Sequence, residues 1–292
     1  MSMTLERESP CKVNLLLDIL GKRADGYHEL ESVMVPVRLC DRLEFRRQGV
    51  GVILECDHPE LPTGAGNLVW RAATAFFAAT GITEGVQIRL EKRIPLAAGL
   101  GGGSSNAATT LLALNDLFDR PLEAGQRLEL AARLGSDVPF FLQSRPAMVR
   151  GRGEVVEPLD ALPLLRGTYL VLAHPGFGVS TAWAYQQLSR FPQVLGGQRG
   201  RADRLVHRLR GQDLRAAGAA FYNSLEAPVL EKFPLLALFQ ESFRANGAVA
   251  TLMSGSGSAT FALAPDEPCA QRLMSAFRTR FGAGPWLAAA AL

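Results

Sequence analysis

A glycine-rich segment, residues 95–108, is the stretch of this chain best suited to chemistry. Four glycines fall within residues 99–103, and two serines and an asparagine follow before the alanine- and leucine-rich run 107–117. Glycine permits a positive φ and a close approach of backbone to ligand, because no Cβ intervenes. A helix beginning near Ser105, capped by Ser104, Ser105 or Asn106, would direct its first N–H groups and the positive end of its dipole into the loop. This arrangement predicts an anion site, most naturally for phosphate.

Other kinds of loop also collect glycine. A flexible linker remains an alternative, although a linker would not lead straight into so strong a helix-forming run. A Walker A loop requires a lysine after its last glycine, whereas Gly103 is followed by Ser104. A dinucleotide-binding loop opens the first βαβ unit of its chain, and here several predicted strands come first. The pattern therefore favours a phosphate loop of a different kind.

Two short polar patterns in the N-terminal region are further candidates. Lys12 and Asn14 share one face of a strand predicted at residues 12–20, because successive side chains of a strand alternate. A site would explain this polar pair, and a solvated strand face would explain it as well. Tyr27 and His28 directly follow a tight turn, where on local grounds they would cover an edge of the core.

Three later segments stand out by composition. Asp137 lies between a glycine turn and the apolar run 138–141. At such a position an aspartate is either the cap of a helix or turn or a catalytic carboxylate. A second glycine turn at residues 253–258 lies between two apolar runs, and a plain hairpin would not require its serines. The arginine-rich segment 198–210 favours a solvated helix and loop, and we expect mobility there.

Length and composition bound the class of protein. The 292 residues are 48% hydrophobic and 20% charged, which is typical of a soluble globular protein with one large or two medium domains. The net charge of +3 is too small to indicate nucleic acid or an anionic membrane as a partner. The four cysteines form no C-x-x-C pair, which argues against a zinc site or a disulfide framework and favours the cytoplasm. We see no signal peptide and no run of roughly 20 apolar residues.

Hydrophobic periodicity, together with capping and turn residues, predicts the strands and helices that must position these residues. Strands are predicted at 12–20, 31–39, 43–47, 50–56, 86–93, 168–174, 249–252 and 259–263, with a hairpin at 147–156. Helices are predicted at 67–80, 107–117, 122–134, 181–188 and 234–244, and the closing residues 286–292 as a final strand or a docked tail. Asn67 and Gly81 should cap the first of these helices. The prolines of 158–163 predict a domain boundary, which divides the chain into 1–160 and 161–292.

The pattern of residues 95–108 resembles the phosphate loop of the GHMP small-molecule kinases. Residues 21–28, 135–141 and 253–257 are similar to those GHMP kinases that act on a cytidine diphosphate-linked methylerythritol. The resemblance spans nearly the whole chain. It implies a two-domain α+β GHMP kinase architecture with the active site in the cleft between the domains. It also implies phosphorylation of an alcohol by ATP with Mg²⁺, in the non-mevalonate route to isoprenoids.

The same resemblance implies roles for individual residues. Lys12 and Asp137 are the implied catalytic pair, and Asp137 would be a base or an orienting group. Tyr27 would stack on the cytosine, which His28 would hydrogen-bond. The other implied acceptor-site residues are Asn14, Ser180 and Thr181. The implied ATP-binding residues are Asn67, Leu68, Pro95, Ala98, Gly99, Leu100, Gly101, Gly102, Gly103, Ser104, Ser105 and Asn106, with Ser104 or Ser105 as ligand of Mg²⁺. The second glycine turn comprises Ser254, Gly255, Ser256 and Gly257.

Two rival functions remain at this point. Another GHMP kinase, for mevalonate or homoserine, would share the loop and lack the Asp-Gly-Tyr-His segment. A nucleotide-sensing module with a decayed site would keep the loop and lose Lys12 or Asp137, yet both residues are present. The expected partners are the acceptor alcohol and ATP, without nucleic acid or membrane, and the oligomeric state stays open.

Overall fold

The computed structural model describes residues 4–143 and 145–292. These residues divide into two compact units that interleave along the chain. The first unit takes the residues up to Cys11, Leu39–Ile94, and the segment from Gly101 to residue 143. The second unit takes Lys12–Arg38, Pro95–Leu100 and Arg145–Leu292. The predicted boundary at residue 160 stays a prediction.

The described residues form strands and α-helices in the following order. The strands are β1 (Thr4–Lys22), β2 (His28–Arg47), β3 (Val52–Cys56), β4 (Val86–Glu91), β5 (Ala147–Gly151), β6 (Val155–Pro158), β7 (Tyr169–His174), β8 (Tyr222–Asn223), β9 (Ala250–Met253), β10 (Thr260–Ala264) and β11 (Trp286–Ala291). The helices are α1 (Leu68–Thr80), α2 (Gly102–Leu117), α3 (Ala124–Leu134), α4 (Thr181–Gln187), α5 (Pro192–Leu195), α6 (Arg201–Leu209), α7 (Leu214–Gly218), α8 (Glu226–Lys232), α9 (Pro234–Ala245) and α10 (Glu267–Phe281).

In the first unit, three helices pack together beside paired strands. β4 pairs in parallel with β3 and antiparallel with the Arg42–Arg47 end of β2, and α1, α2 and α3 contact one another. The side chain of Asn67 accepts a hydrogen bond from the N–H of Val69, and Gly81 ends α1 in the left-handed conformation. The predicted caps of α1 are therefore confirmed.

The predicted start of α2 is wrong. The helix begins at Gly102, and its N-cap is Gly101 at φ 70°, which makes no side-chain cap. Ser105 and Asn106 lie inside the helix, with side chains that are buried against Ser9. Because glycine adopts a left-handed φ at little cost, the helix can begin three residues earlier than a serine cap would allow.

The strand predicted to break near residue 40 is continuous in the structure. The sequence predicts separate strands at 31–39 and 43–47, but β2 runs through the whole stretch. The carboxylate of Asp41 is fully buried and accepts the N–H groups of Arg93 and Ile94. A buried polar residue with its hydrogen bonds satisfied does not end a strand.

The second unit is built on an antiparallel sheet of four strands in the order β11-β7-β10-β9. Helices α9 and α10 pack on this sheet, with the ring of Phe277 4.7 Å from that of Phe239 and stacked on Phe243 at 5.1 Å. The predicted hairpin is confirmed as β5 and β6, and the closing residues form a strand rather than a docked tail. In the same unit, the Leu30–Met34 stretch of β2 pairs with β5 and β1 pairs with β8.

The arginine-rich segment is only half solvated. α6 buries its apolar side, while Arg204 and Arg208 are exposed. Ahead of it, the N–H of Gln198 is accepted by Asp18 and the N–H of Gly200 by Glu31. A packed face and buried carboxylates therefore hold the segment, which the arginines alone did not indicate.

Candidate active site

Lys12 and Asn14 form a buried polar pair in the second unit. Nζ of Lys12 donates to Oδ1 of Asn14 at 2.6 Å and to the carbonyl oxygen of Gly99 at 2.9 Å. Asn14 in turn donates to the hydroxyl of Ser32 at 2.8 Å. Lys12 is 3% exposed and Asn14 1%, so the shared face is confirmed and the solvated-face alternative is wrong. These partners hold the ammonium group in one orientation.

The first glycine turn packs closely on the second within this unit. A Cβ on Gly99 would lie 2.0 Å from the carbonyl oxygen of Ser254 and 2.9 Å from the N of Gly257. The hydroxyl of Ser254 donates to the carbonyl of Gly99 at 3.0 Å, and the N–H of Ala259 donates to that of Ala98 at 3.0 Å. No side chain fits at Gly99, which explains the glycine by close approach rather than by mobility.

Lys12 also lies beside the second glycine turn. A Cβ on Gly255 would lie 3.2 Å from Nζ of Lys12 and 3.0 Å from the carbonyl oxygen of Gly99. The backbone N–H of Lys12 donates to the carbonyl of Leu100 at 2.9 Å. The two glycine turns and the β1 lysine therefore meet in the second unit.

Asn223 and Glu226 hold the second glycine turn, and sequence reasoning did not assign them a role. Nδ2 of Asn223 donates to the carbonyls of Met253 and Gly255, each at 2.8 Å. The buried carboxylate of Glu226 accepts the N–H of Met253 at 2.8 Å and a bond from Gln240. Burial raises the pKa of Glu226 above its ordinary value, and these hydrogen bonds oppose the rise. In the sequence, this pair is visible as an asparagine and a glutamate three residues apart.

Tyr27 and His28 present two rings with different surroundings. Tyr27 is 54% exposed, with the guanidinium of Arg152 4.8 Å from its ring centroid, so it does not cover the core. The His28 ring lies 5.1 Å from that of Tyr185, a neighbour that sequence reasoning missed. Burial, with the charge of Lys22 as a smaller cause, lowers the pKa of His28 below its ordinary value. At neutral pH the imidazole therefore offers one donor and one acceptor.

Ser180 and Thr181 lie at the start of α4. Ser180 is the N-cap, and its hydroxyl accepts the N–H of Trp183. The hydroxyl of Thr181 shares a hydrogen bond with that of Ser256 at 2.8 Å. Thr181 therefore joins the second glycine turn, whereas Ser180 has the local role of a cap.

In the first unit, the start of α2 lies beside the start of α1. The first N–H groups of a helix have no carbonyl partner within it, which for α2 applies to Gly102, Gly103 and Ser104. A Cβ on Gly103 would lie 3.5 Å from Cδ1 of Leu68. Asn67 caps α1 and also donates to the carbonyl of Pro62 at 2.9 Å. The backbone N–H groups and the dipole at the start of α2 suit an anion, and phosphate binding there stays a prediction.

Asp137 also belongs to the first unit. It is half-buried in the turn after α3, and the next residues, Val138 and Phe140, are buried. The N–H of Val138 donates to the carbonyl of Gly135 at 3.2 Å. Its convergence with Lys12 on one acceptor oxygen stays a prediction.

The two serines predicted as ligands of Mg²⁺, Ser104 and Ser105, lie near the start of α2. Within residues 4–143 and 145–292, no group of three or more His, Cys, Asp or Glu side chains could hold a metal ion. Mg²⁺ commonly binds through one or two protein groups together with phosphate oxygens. Ser105 is fully buried and accepts a hydrogen bond from Ser9, whereas Ser104 is half-buried. Ser104 is therefore the better fit of the two.

No helix in the described part of the chain has the length and apolar character needed to cross a membrane. The expected absence of a membrane partner stays a prediction.

Comparisons with known proteins identify the family. Residues 67–145 match the model of the GHMP kinases N terminal domain, and residues 205–283 match that of the GHMP kinases C terminal. The 4-diphosphocytidyl-2-C-methyl-D-erythritol kinase of Pelotomaculum thermopropionicum is 42% identical over 94% of each chain. That of Geobacter sp. strain M21 is 40% identical over 98% of each chain.

Solved structures agree with the sequence relatives. A crystal structure of 4-(cytidine 5'-diphospho)-2C-methyl-D-erythritol kinase is 37% identical, with a TM-score of 0.79 over 99% of this chain and 100% of that one. Homoserine kinase from Cytophaga hutchinsonii shares the fold at 18% identity and a TM-score of 0.64, over 99% and 95% of the chains. The predicted α+β GHMP fold and small-molecule kinase class are confirmed. This chain belongs to the GHMP kinases and, within them, to the family of 4-diphosphocytidyl-2-C-methyl-D-erythritol kinases.

Proposed function

We propose that the chain transfers the γ-phosphoryl group of ATP to the 2-hydroxyl of 4-diphosphocytidyl-2-C-methyl-D-erythritol, in the non-mevalonate route to isoprenoid precursors. Relatives that carry this name at about 40% identity over nearly the full chain support the substrate. The structural observation that carries the chemistry is the buried ammonium of Lys12, oriented by Asn14 and the carbonyl of Gly99. A cation held in this way acts on one defined oxygen rather than on bulk solvent.

The nucleotide phosphates bind at the N–H groups that open α2, where the helix dipole favours negative charge. Gly102 and Gly103 keep that backbone accessible, and Ser104 supplies the hydroxyl closest to the helix start that is not fully buried. When bound, Mg²⁺ would neutralise charge between the phosphates, with Ser104 as a direct or water-bridged ligand. Leu68 at the start of α1 lies beside Gly103, and Leu68 and the N-cap Asn67 complete the proposed nucleotide side.

Lys12 and Asp137 divide the work on the acceptor hydroxyl. Lys12 lowers the pKa of the hydroxyl, and the carboxylate of Asp137 accepts its proton or orients it. A loose, metaphosphate-like transition state asks little of a base, so orientation accounts for much of the role of Asp137. Both residues are proposed on the resemblance of their motifs.

The acceptor is recognised through its cytosine. Tyr27 has an exposed ring on which a base can stack, and neutral His28 has a donor and an acceptor for the polar edge of that base. Thr181 and Asn14 complete the acceptor side. Mevalonate and homoserine contain no base, so a kinase for either would not need an exposed ring for stacking.

Release of ADP tests the substrate directly. The purified chain is supplied with ATP and Mg²⁺, and with the cytidyl alcohol, mevalonate, homoserine or no acceptor. We expect turnover with the cytidyl alcohol alone, and mass spectrometry of the product should show one added phosphoryl group. Equal turnover with mevalonate or homoserine would contradict the proposed substrate, while ADP release independent of any acceptor would contradict the transfer itself.

A further inference from the structure

A buried polar cluster joins the two ends of the glycine segment in the first unit. We call Asp41, Lys92, Asn106 and Ser9 the Asp41 cluster. Asp41 and Ser9 are 0% exposed, Asn106 is 2% exposed, and the side chain of Lys92 is 3% exposed. A buried carboxylate is costly unless it is paired and hydrogen-bonded, so its presence calls for an explanation.

The two carboxylate oxygens of Asp41 contact opposite ends of the segment. Oδ1 accepts the backbone N–H of Arg93 at 2.8 Å and that of Ile94 at 2.9 Å, directly before Pro95. Oδ2 accepts Nδ2 of Asn106 at 2.9 Å, in the second turn of α2. One side chain therefore holds the backbone that enters the glycine segment and the helix that leaves it.

Lys92 and Ser9 complete the cluster. The ammonium of Lys92 pairs with Oδ2 of Asp41 and donates to Oδ1 of Asn106 at 3.2 Å. The second hydrogen of the Asn106 amide is donated to the hydroxyl of Ser9 at 2.9 Å. The amide of Asn106 thus makes hydrogen bonds inside the protein through both its nitrogen and its oxygen.

The start of α2 packs tightly on this cluster. A Cβ on Gly102 would lie 3.1 Å from Cγ2 of Ile94 and 3.3 Å from Nζ of Lys92. The helix start therefore rests on the residues that Asp41 holds, and a change in their position would move it.

We propose that Asp41 is a positioning residue for the nucleotide. By holding Arg93 and Ile94 on one side and Asn106 on the other, its carboxylate sets the orientation of the first N–H groups of α2 before ATP binds. Donors held in place in advance cost no reorganisation when charge arrives. Asn106 then contributes to nucleotide binding through the position of α2. This inference rests on the proposed function, because it concerns the same phosphate site.

The exchange Asp41→Asn separates the two halves of the contact. The new Oδ1 can still accept the N–H groups of Arg93 and Ile94, but an NH₂ group replaces Oδ2 and faces the donors of Asn106 and Lys92. We expect the KM for ATP and the Kd for ADP to rise roughly tenfold or more. The KM for the acceptor alcohol should stay within about twofold, because none of the four residues of the cluster is proposed to bind the acceptor.

A reciprocal exchange distinguishes positioning from mere stability. Asn106→Asp alone places two carboxylates opposite each other and should also weaken nucleotide binding. The double variant Asp41→Asn/Asn106→Asp reverses donor and acceptor and keeps one carboxylate for Lys92. It should lower the Kd for ADP below that of either single variant, although the introduced NH₂ group at position 41 still faces Lys92. Calorimetry with ADP measures this without any turnover.

Asp18→Asn is the matched control, since Asp18 is a second fully buried aspartate that accepts a loop N–H, that of Gln198, in the second unit. It should lower the Tm and leave the Kd for ADP within about threefold. An unchanged Kd for ADP in Asp41→Asn, or no recovery in the folded double variant, overturns the inference. If Asp41→Asn does not fold, the Kd for ADP of the double variant and of Asn106→Ala tests the inference instead. Failure of the unmodified chain to bind ADP at all would instead contradict the proposed function.

Discussion

The two glycine turns have similar composition and different structural roles. The first, residues 95–103, continues into α2, so its later glycines lie at the N–H groups of a helix start. The second, residues 254–257, joins β9 to β10 and ends in a strand. A Cβ on Gly99 would lie 2.0 Å from the backbone of Ser254, whereas a Cβ on Gly103 would meet only a side-chain atom at 3.5 Å. Glycine thus serves packing at one position and access at another, and substitutions at Gly99 and Gly103 test this division.

The largest effect is expected from a residue outside both turns. Asp137→Asn keeps the shape of the side chain and removes the carboxylate, so kcat should fall by about two or more powers of ten. Because neither turn is altered, the KM for ATP should stay near that of the unmodified chain. Steady-state kinetics with the cytidyl alcohol measure this. A normal kcat would remove Asp137 from the mechanism.

Gly99→Ala tests the packing role. The added Cβ would overlap the carbonyl of Ser254, and an alanine at this position would have to adopt φ 76°. We therefore expect the free energy of unfolding to fall by roughly 2–4 kcal/mol. Activity should fall as well, because Lys12 is held by the carbonyl of Gly99. Chemical denaturation measures the loss. A variant as stable as the unmodified chain would show that the two turns are not packed as described.

Glu226→Gln tests the support of the second turn. Burial raises the pKa of Glu226 in the folded chain. The contribution of Glu226 to stability is therefore present at low pH and is lost as the pH rises through the pKa that Glu226 has in the folded chain. The amide oxygen of the introduced glutamine can keep the bond to the N–H of Met253 without the buried charge. The variant should therefore have a higher Tm than the unmodified chain at pH 7.5, and the difference should shrink toward about pH 4. A difference that is constant with pH would contradict this account.

Gly103→Ala tests the access role and should have the smallest effect on the fold. Alanine is a better helix former and meets only Leu68, so the free energy of unfolding should change by about 0.5 kcal/mol or less, toward greater stability. If the backbone of α2 binds phosphate, the added methyl group should still raise the Kd for ADP. Gly125→Ala, in α3, is the matched control, because its Cβ would meet nothing within 4 Å. Equal ADP binding in both variants would argue against phosphate at Gly103.

Local patterns predicted the elements whose ends depend on nearby residues. Asn67 and Gly81 cap α1 as expected, because a cap needs only its own side chain or φ and the adjacent turn. The same reasoning failed at α2, where three polar residues looked like caps. Two of them, Ser105 and Asn106, are instead bonded inward to Ser9. The tendency of these residues to cap a helix is outweighed when a buried partner on a neighbouring strand, here Ser9 of β1, is available.

The site divides in the same way. The face shared by Lys12 and Asn14 followed from the alternation of a strand, and their hydrogen bond confirms it. Residues 223–226 resemble a family pattern, but sequence reasoning assigned Asn223 and Glu226 no role, because the backbone groups that they bind in the second turn are 27 to 32 residues away. An isolated Asn or Glu has many possible partners, and only the fold selects one.

The sequence by itself determined the family and the alternating pattern of β1, and it predicted the phosphate loop, because each of these depends on neighbouring residues. Only the tertiary structure decided that Asp41 joins Asn106 across 65 positions and that Gly99 lies against Ser254 across 155. The physical reason is burial. A carboxylate or a bare backbone is stable in the interior only where distant donors and acceptors meet it, and which ones do so depends on the packing of the whole chain.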